Sequence, residues 1–275
     1  MGQQLIVDKD ASVVKATDVP YSAQFYATYS DGSRRSAAAL LAVVFDLVKP
    51  RSLVDVGCGV GTWAAVALEL GASEVLGIDG DYVDRSQLQI PHTCFMPWDL
   101  EKPLRLERRF DLAMSLEVAE HLPAVCAEIF VESLVRLAPV VLFSAAVPGQ
   151  GGHHHVNEQW PAYWAELFAR HNFKAVDCVR PQVWNDERVE FWYRQNTILY
   201  ARHDYMSQYP ELRPIGAGGQ PLSLVHPGLL AERQKAQEPA SWGLRRVIAQ
   251  IPRLLVASVR RRLGAAIRSM DMGAR

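Results

Sequence analysis

The sequence predicts an α/β fold: a mostly parallel sheet of seven strands with helices on both faces, followed by a basic C-terminal helical tail. Three observations lead there. From about Arg51, short apolar runs alternate with longer segments whose apolar residues recur at three- and four-residue intervals. Three glycines at alternate positions close the first apolar run and open the first helical pattern. Finally, residues 231–275 hold ten Lys/Arg against three Asp/Glu, a net of +7, while residues 1–230 carry −8 within a total of −1.

Taken in order, Ser36 to Val48 is rich in Ala and Leu and stops at Lys49-Pro50, as a helix stops before proline. Strands are expected at Ser52–Val56, Glu74–Asp79, His92–Met96, Phe110–Ser115 and Val140–Ala145. Helices at Thr62–Leu70 and Ala124–Leu137 connect them, and a third is expected at Trp160–Arg170 after a Gly/His-rich loop. Phe173–Val179 and Val189–Ala201 complete the strands. Past Tyr205, repeated Pro and Gly indicate a linker. The organisation expected is an N-terminal lid over 1–35, a catalytic domain over 36–204, a linker over 205–241 and a tail over 242–275.

A chain of 275 residues with 49% hydrophobic content is not disordered throughout. No stretch approaches the roughly 18 uncharged apolar residues of a membrane span. Met1 to Asp10 shows no secretory leader, and Cys58, Cys94, Cys126 and Cys178 lie too far apart for a zinc site or a compact disulfide framework. The expectation is a cytoplasmic protein with reduced thiols.

The glycine motif is Asp55-Val56-Gly57-Cys58-Gly59-Val60-Gly61, with Thr62 at the position where dinucleotide enzymes repeat glycine. Glycine permits unusual backbone angles there and lets a ligand approach the main chain. On its own such a run is also a plain strand-to-helix turn. Gly77-Ile78-Asp79-Gly80 ends the next strand with a carboxylate able to accept two ribose hydroxyls, although a terminal Asp is equally a helix cap. Trp98-Asp99-Leu100 follows the third strand, and Leu116-Glu117-Val118-Ala119-Glu120-His121 leaves the fourth.

With these four motifs in order, the chain resembles the class I S-adenosylmethionine-dependent methyltransferases over Ser36 to Ala201, particularly the ubiquinone and menaquinone branch. The resemblance implies a Rossmann-like fold and S-adenosylmethionine as cofactor. It implies that Asp55, Gly57, Gly59 and Gly61 lie beneath the methionine part and that Asp79 and Gly80 hold the ribose. Asp99 and Leu100 would meet the adenine, and Glu117 the methionine amino group.

Acceptor groups should follow the fourth and fifth strands, where Gly151-Gly152-His153-His154-His155-Val156-Asn157-Glu158-Gln159-Trp160 lies. Imidazole accepts a hydroxyl proton near neutral pH, so His155 is the expected general base, oriented by Glu158. A divalent ion held by the three histidines and Glu158 is the competing use, but adjacent histidines seldom converge on one ion, and no metal is expected. His153 and His154 read as exposed loop residues, and for His155 base and bystander both stay open. The run from His155 to Trp160 also resembles a loop of methyltransferases encoded beside polysaccharide-synthesis enzymes. The reaction expected is therefore O-methylation of a sugar in a surface or lipid-linked glycan. A small phenolic or quinone-like acceptor is the alternative, and a cofactor-binding sensor or scaffold is the alternative of another class.

In the tail, Leu244, Ile248, Ile251, Leu255 and Val259 share one helical face while Arg246, Arg253, Arg260, Arg261 and Arg268 lie mostly opposite; Pro252 interrupts the run. Such a basic amphipathic helix suits an anionic membrane surface, with Trp242 at the interface, or docking on the acidic body or a partner. No nucleic-acid motif accompanies it, so nucleic acid is not an expected partner.

Overall fold

A computed structural model describes residues 23–208, 212, 223–237, 248 and 251. The chain divides into two compact units, Met1–His226 and Pro227–Arg275. The first contains helices α1 (Ala23–Val48), α2 (Thr62–Glu69), α3 (Ala127–Leu137), α4 (Pro161–Arg170), α5 (Arg180–Val183) and α6 (Phe191–Asn196). Its strands are β1 (Ser52–Val56), β2 (Glu74–Asp79), β3 (Phe95–Pro97), β4 (Leu112–Leu116), β5 (Val140–Ser144), β6 (Phe173–Val176) and β7 (Ile198–Arg202). In the second unit, α7 (Pro227–Gln237) is described. Of the tail, only Ile248 and Ile251 are described, both helical; the rest of that expected helix, and residues 1–22 of the expected lid, lie outside the described residues.

The seven strands form one sheet in the order β3-β2-β1-β4-β5-β7-β6. Strands β1 to β5 run parallel, and β7 is antiparallel to both β5 and β6. The chain leaves β1 toward β2 and β3, then crosses back to β4 and β5. That reversal leaves a crevice outside the strands' carboxyl ends, the usual ligand position in Rossmann-like sheets.

Alternation within the strands builds two cores. Leu53, Leu112, Met114, Leu142 and Leu199 face α1 and α2. Val54, Ala113, Val141, Phe143 and Tyr200 face α3 and α4. Both sets are buried, so the central strands read as continuous apolar runs. On the second face, the Phe143 ring meets Trp164, Phe168 and Tyr200.

Several expected boundaries shift: β4 runs Leu112–Leu116 rather than from Phe110, α3 starts at Ala127 rather than Ala124, β6 ends at Val176 rather than Val179, and α7 lies within the expected linker over 205–241. Three further changes have a visible cause. Helix α1 starts at Ala23, through the Ser30-Asp31-Gly32-Ser33 stretch that breaks helical propensity. Tertiary contacts override it: Trp63 Nε1 donates to Ser33 Oγ at 3.0 Å and the Glu190 amide to Ser36 Oγ at 3.0 Å. The expected third strand begins later, because His92–Cys94 forms a 3-10 turn. The expected strand Val189–Ala201 is helix α6 followed by β7. Its Phe191-Trp192-Tyr193 run favours a strand locally, but Gln195 and Asn196 make buried side-chain bonds that fix a helical turn.

Phe143→Ala is expected to destabilise the first unit by about 3–5 kcal/mol, since an aromatic ring fully enclosed by three others leaves a cavity when truncated. Chemical denaturation followed by tryptophan fluorescence checks it, and a loss under 1 kcal/mol would contradict this packing.

Candidate active site

All five parallel strands deliver their exits to one edge. After β1, Gly57, Gly59 and Gly61 take φ values of 85°, 53° and 81°. The Gly57 and Cys58 amides donate to the Ile78 carbonyl at 2.7 and 3.2 Å, and the Gly59 amide donates to Asp79 Oδ2 at 2.7 Å. A Cβ on Gly57 would lie 2.3 Å from Val118 Cγ2, so only glycine lets the exits of β1 and β4 touch.

Asp79 Oδ1 accepts from the Gly80 amide at 2.7 Å and from the Tyr82 hydroxyl at 2.6 Å. The Tyr82 ring lies over Gly80, where a Cβ would come within 2.1 Å of it. Burial pushes the Asp79 carboxyl up, only partly offset by its bonds from Tyr82, Gly59 and Gly80. Asp55 is also buried, and its Oδ2 has no hydrogen-bond partner among the described residues. Burial, then the neighbouring Asp79 charge, holds the Asp55 carboxyl well above the usual carboxylate range.

Asp99 stands at the exit of β3 but is exposed, its carboxylate bound by Lys102 Nζ at 3.0 Å and the Glu101 amide at 3.1 Å. The Lys102 bond holds its carboxyl below the usual range. Leu100 is half-buried against the core on the α3/α4 face.

Glu117 ends β4 with a left-handed φ of 55°, a conformation costing on the order of 1–2 kcal/mol for a residue with a side chain. Its amide donates to both the carbonyl and Oγ of Ser144 at 3.0 Å. Its carboxylate accepts from Gln150 Nε2 at 2.8 Å and Asn196 Nδ2 at 3.0 Å. Gln195 extends this network, donating to Gln150 and Asn196 and accepting from the His226 amide.

One turn farther, Glu120 is 0% exposed; no donor among the described residues meets full hydrogen-bond geometry at its carboxylate oxygens, although its own amide, the Ala146 amide and the Glu117 carboxyl lie close enough to act on them. Burial, then the Glu117 charge, drives its carboxyl well above the usual range. The His121 and His155 rings meet edge to face at 4.9 Å. Burial, then His155, lowers His121 to about 4, so it is neutral at physiological pH. Nδ1 of His155 lies 2.9 Å from Glu158 Oε1, and Glu158 also accepts the amides of Gly149 and Gly151 at 2.7 and 2.6 Å. Burial raises the Glu158 carboxyl, but the bonds from His155, Gly149 and Gly151 outweigh it and leave it lowered. The loop is pinned to the β4 exit because the Val156 and Asn157 amides donate to the Glu120 carbonyl at 2.9 and 3.0 Å.

The structure thus brings together Gly59, Asp79 and Gly80, places Asp55 beside them, and pairs His155 with Glu158. It leaves Asp99 turned to Lys102, and it leaves His153 and His154 exposed against one another. Sequence reasoning missed Tyr82, Glu120, His121, Gln150, Gln195 and Asn196 as site residues. A Glu-x-x-Glu-His spacing starting at Glu117, and two successive amides inside an aromatic run, were the available signals.

The methyltransferase domain family matches residues 29–173, more than half of the chain. The chain belongs to this family. Its members of class I, to which the glycine-loop architecture assigns this chain, use S-adenosylmethionine. No curated protein sequence matches the chain. Among solved structures, human N-acetylserotonin methyltransferase in complex with S-adenosylmethionine is 16% identical with a TM-score of 0.44, over 66% of this chain and 60% of that one. Magnesium protoporphyrin IX methyltransferase from Synechocystis is 19% identical, TM-score 0.46, over 62% and 84%. An O-methyltransferase family protein from Burkholderia thailandensis is 14% identical, TM-score 0.48, over 65% and 57%. The chain spans 60% of the length of the human enzyme.

The residues present fit the cofactor. Asp55 keeps an orphaned buried oxygen beside a loop with glycine at positions 57, 59 and 61, and a sulfonium with an ammonium supplies the positive charge that Asp55 and Asp79 lack around them. A ribose at Asp79 would compete with the Tyr82 hydroxyl for Oδ1, and Tyr82 is half exposed.

By calorimetry with S-adenosylmethionine, Asp79→Ala is expected to weaken binding at least tenfold, the order of a lost charge-assisted hydrogen bond. Tyr82→Phe is expected to tighten it, because a competing donor is removed from Oδ1. Weaker binding by Tyr82→Phe would mean that the hydroxyl itself contacts the cofactor.

Proposed function

We propose that this chain transfers the methyl group of S-adenosylmethionine to a hydroxyl, and that the acceptor is a sugar of a surface or lipid-linked glycan. The observation that carries the oxygen acceptor is the His155 imidazole, 2.9 Å from Glu158 and 12% exposed, in the loop that follows β5 on the strands' carboxyl edge. Bound S-adenosylmethionine supplies an activated methyl, and its transfer to oxygen releases S-adenosylhomocysteine and one proton. In this reading His155 receives that proton from the acceptor, and Glu158 stabilises the imidazolium that results. Asp55, Gly57, Gly59, Gly61, Asp79, Gly80 and Glu117 hold the cofactor. Asp99 and Leu100 line its adenine end.

The sugar reading draws on the surface beside this loop. Val156 is 62% and Trp160 40% exposed, whereas Trp164, one turn on, is buried in the core. An exposed indole with an apolar neighbour suits the flat apolar face of a sugar ring. The basic segment 242–275 would bring the enzyme to an anionic membrane carrying a lipid-linked acceptor. Among the described residues, no helix is long and apolar enough to cross a membrane.

Incubation of glycan and phenolic acceptors with methyl-labelled cofactor, followed by mass spectrometry, is expected to place the label on a sugar oxygen; label on a phenol, on nitrogen or on carbon would overturn the assignment. His155→Ala should lower turnover about 10²–10⁴-fold with cofactor affinity unchanged. Removing residues 242–275 should reduce co-sedimentation with anionic liposomes and leave cofactor binding intact. Equal sedimentation of both forms would reject membrane attachment.

A further inference from the structure

We propose that Glu120, His121 and His155 form a binding site for a divalent cation of the first transition row. One ligand-capable atom from each residue lies within 4.8 Å of the others. Glu120 supplies the second observation that an acidic or histidine cluster needs. Its side chain is fully buried, and no donor among the described residues meets full hydrogen-bond geometry at either oxygen, the amides of Glu120 and Ala146 acting on it only loosely. A buried carboxyl so short of donors is held as the neutral acid unless a cation is placed beside it. Two imidazoles face it, and among the described residues no Lys or Arg forms an ion pair with it.

The surroundings are built to hold these three groups in place. Glu120 and His121 sit on the 3-10 turn Ala119–His121, and His155 comes from a loop whose next two amides are bonded to the Glu120 carbonyl. Gly152 has no side chain where the His155 ring lies, since a Cβ there would fall 2.2 Å from Nε2. Glu158 orients His155 from behind, and a carboxylate hydrogen-bonded to an imidazole ligand is the common outer-shell arrangement of such sites. Two nitrogens and one carboxylate suit manganese, iron, cobalt or zinc, whereas calcium and magnesium prefer all-oxygen sites.

This site deepens the hydroxyl-acceptor reading, and its catalytic role rests on that reading, although its ability to bind an ion does not. A bound ion would favour the ionised form of a hydroxyl placed on it, with the released proton passing to solvent and His155 serving as ligand rather than base. It would also account for histidine at a position where the flanking His153 and His154 do nothing comparable.

The test uses the full chain stripped with a chelator and manganese(II) alone as the probe, followed by electron paramagnetic resonance of free manganese and by equilibrium dialysis. One ion per chain is expected. Glu120→Gln, nearly the same size, should weaken binding at least tenfold, and His121→Asn likewise. Glu158→Gln, which touches His155 but is no ligand, should weaken it about 10–100-fold, and His153→Ala should not change it. Circular dichroism confirms that each variant is folded. Absence of one-to-one binding by the wild type, or equal binding by folded Glu120→Gln and His121→Asn, overturns the site. If the wild type methylates a hydroxyl without binding any ion, the cation is refuted and the base reading survives. If it binds the ion but labels only nitrogen or carbon, the site stands and the hydroxyl reading falls.

Discussion

The bond from the Gly59 amide to the Asp79 carboxylate is the join on which the cofactor edge depends. It ties the exit of β1 to the end of β2, alongside the Gly57 and Cys58 amides on the Ile78 carbonyl. With the loop pulled down this way, Gly57 must pass within contact of Val118, and only a residue without a side chain can do so. The same contact fixes where β4 releases the chain, and so where Glu117, Glu120 and His121 are delivered. A parallel sheet makes this economical, because strands whose directions agree present all their exits to one side.

The formal charge of the first 230 residues acquires a location. Asp55, Asp79, Glu117 and Glu120 gather near the carboxyl edge, and three of them are buried. Carboxylates crowded in low dielectric repel one another and favour any cation placed among them. A cofactor with a sulfonium and an ammonium answers the pair nearer the glycine loop. Basic side chains answer the exposed acids instead: Arg34 on Glu69, Arg108 on Glu74 and Lys102 on Asp99. Such exposed pairs contribute little to stability, so the arrangement separates charge that serves the surface from charge that serves the site.

What the sequence made legible follows from whether the signal was local. Strands β1 and β2 and the glycine loop are written in consecutive residues, and both strands match their expected bounds. The His155 to Glu158 pair was legible for the same reason, being one turn apart. Helix α1 was half hidden because its 30–36 stretch, poor in helical propensity, is held by Trp63 and Glu190, far along the chain. Helix α6 was hidden because aromatic residues carry a strand preference that buried amide bonds reverse. The metal alternative alone grouped His155 with His153, His154 and Glu158, whereas the fold brings it to Glu120 and His121 across a loop boundary.

Glu117 and Glu120 show how a fold distinguishes two carboxylates that leave the same strand three residues apart. Glu117 receives an amide donor on each oxygen, from Asn196 and Gln150, and those amides are themselves bonded to Gln195. Its anion is therefore held by hydrogen bonds, and lone pairs remain for a further donor. Glu120 receives no side-chain amide, only the loosely placed backbone amides of Glu120 and Ala146, yet its backbone carbonyl anchors the loop that carries His155. Had the position served packing alone, an apolar side chain of similar size would avoid the desolvation cost altogether. A carboxyl kept there, facing two imidazoles, stays protonated unless a cation from outside the chain takes the place of its proton.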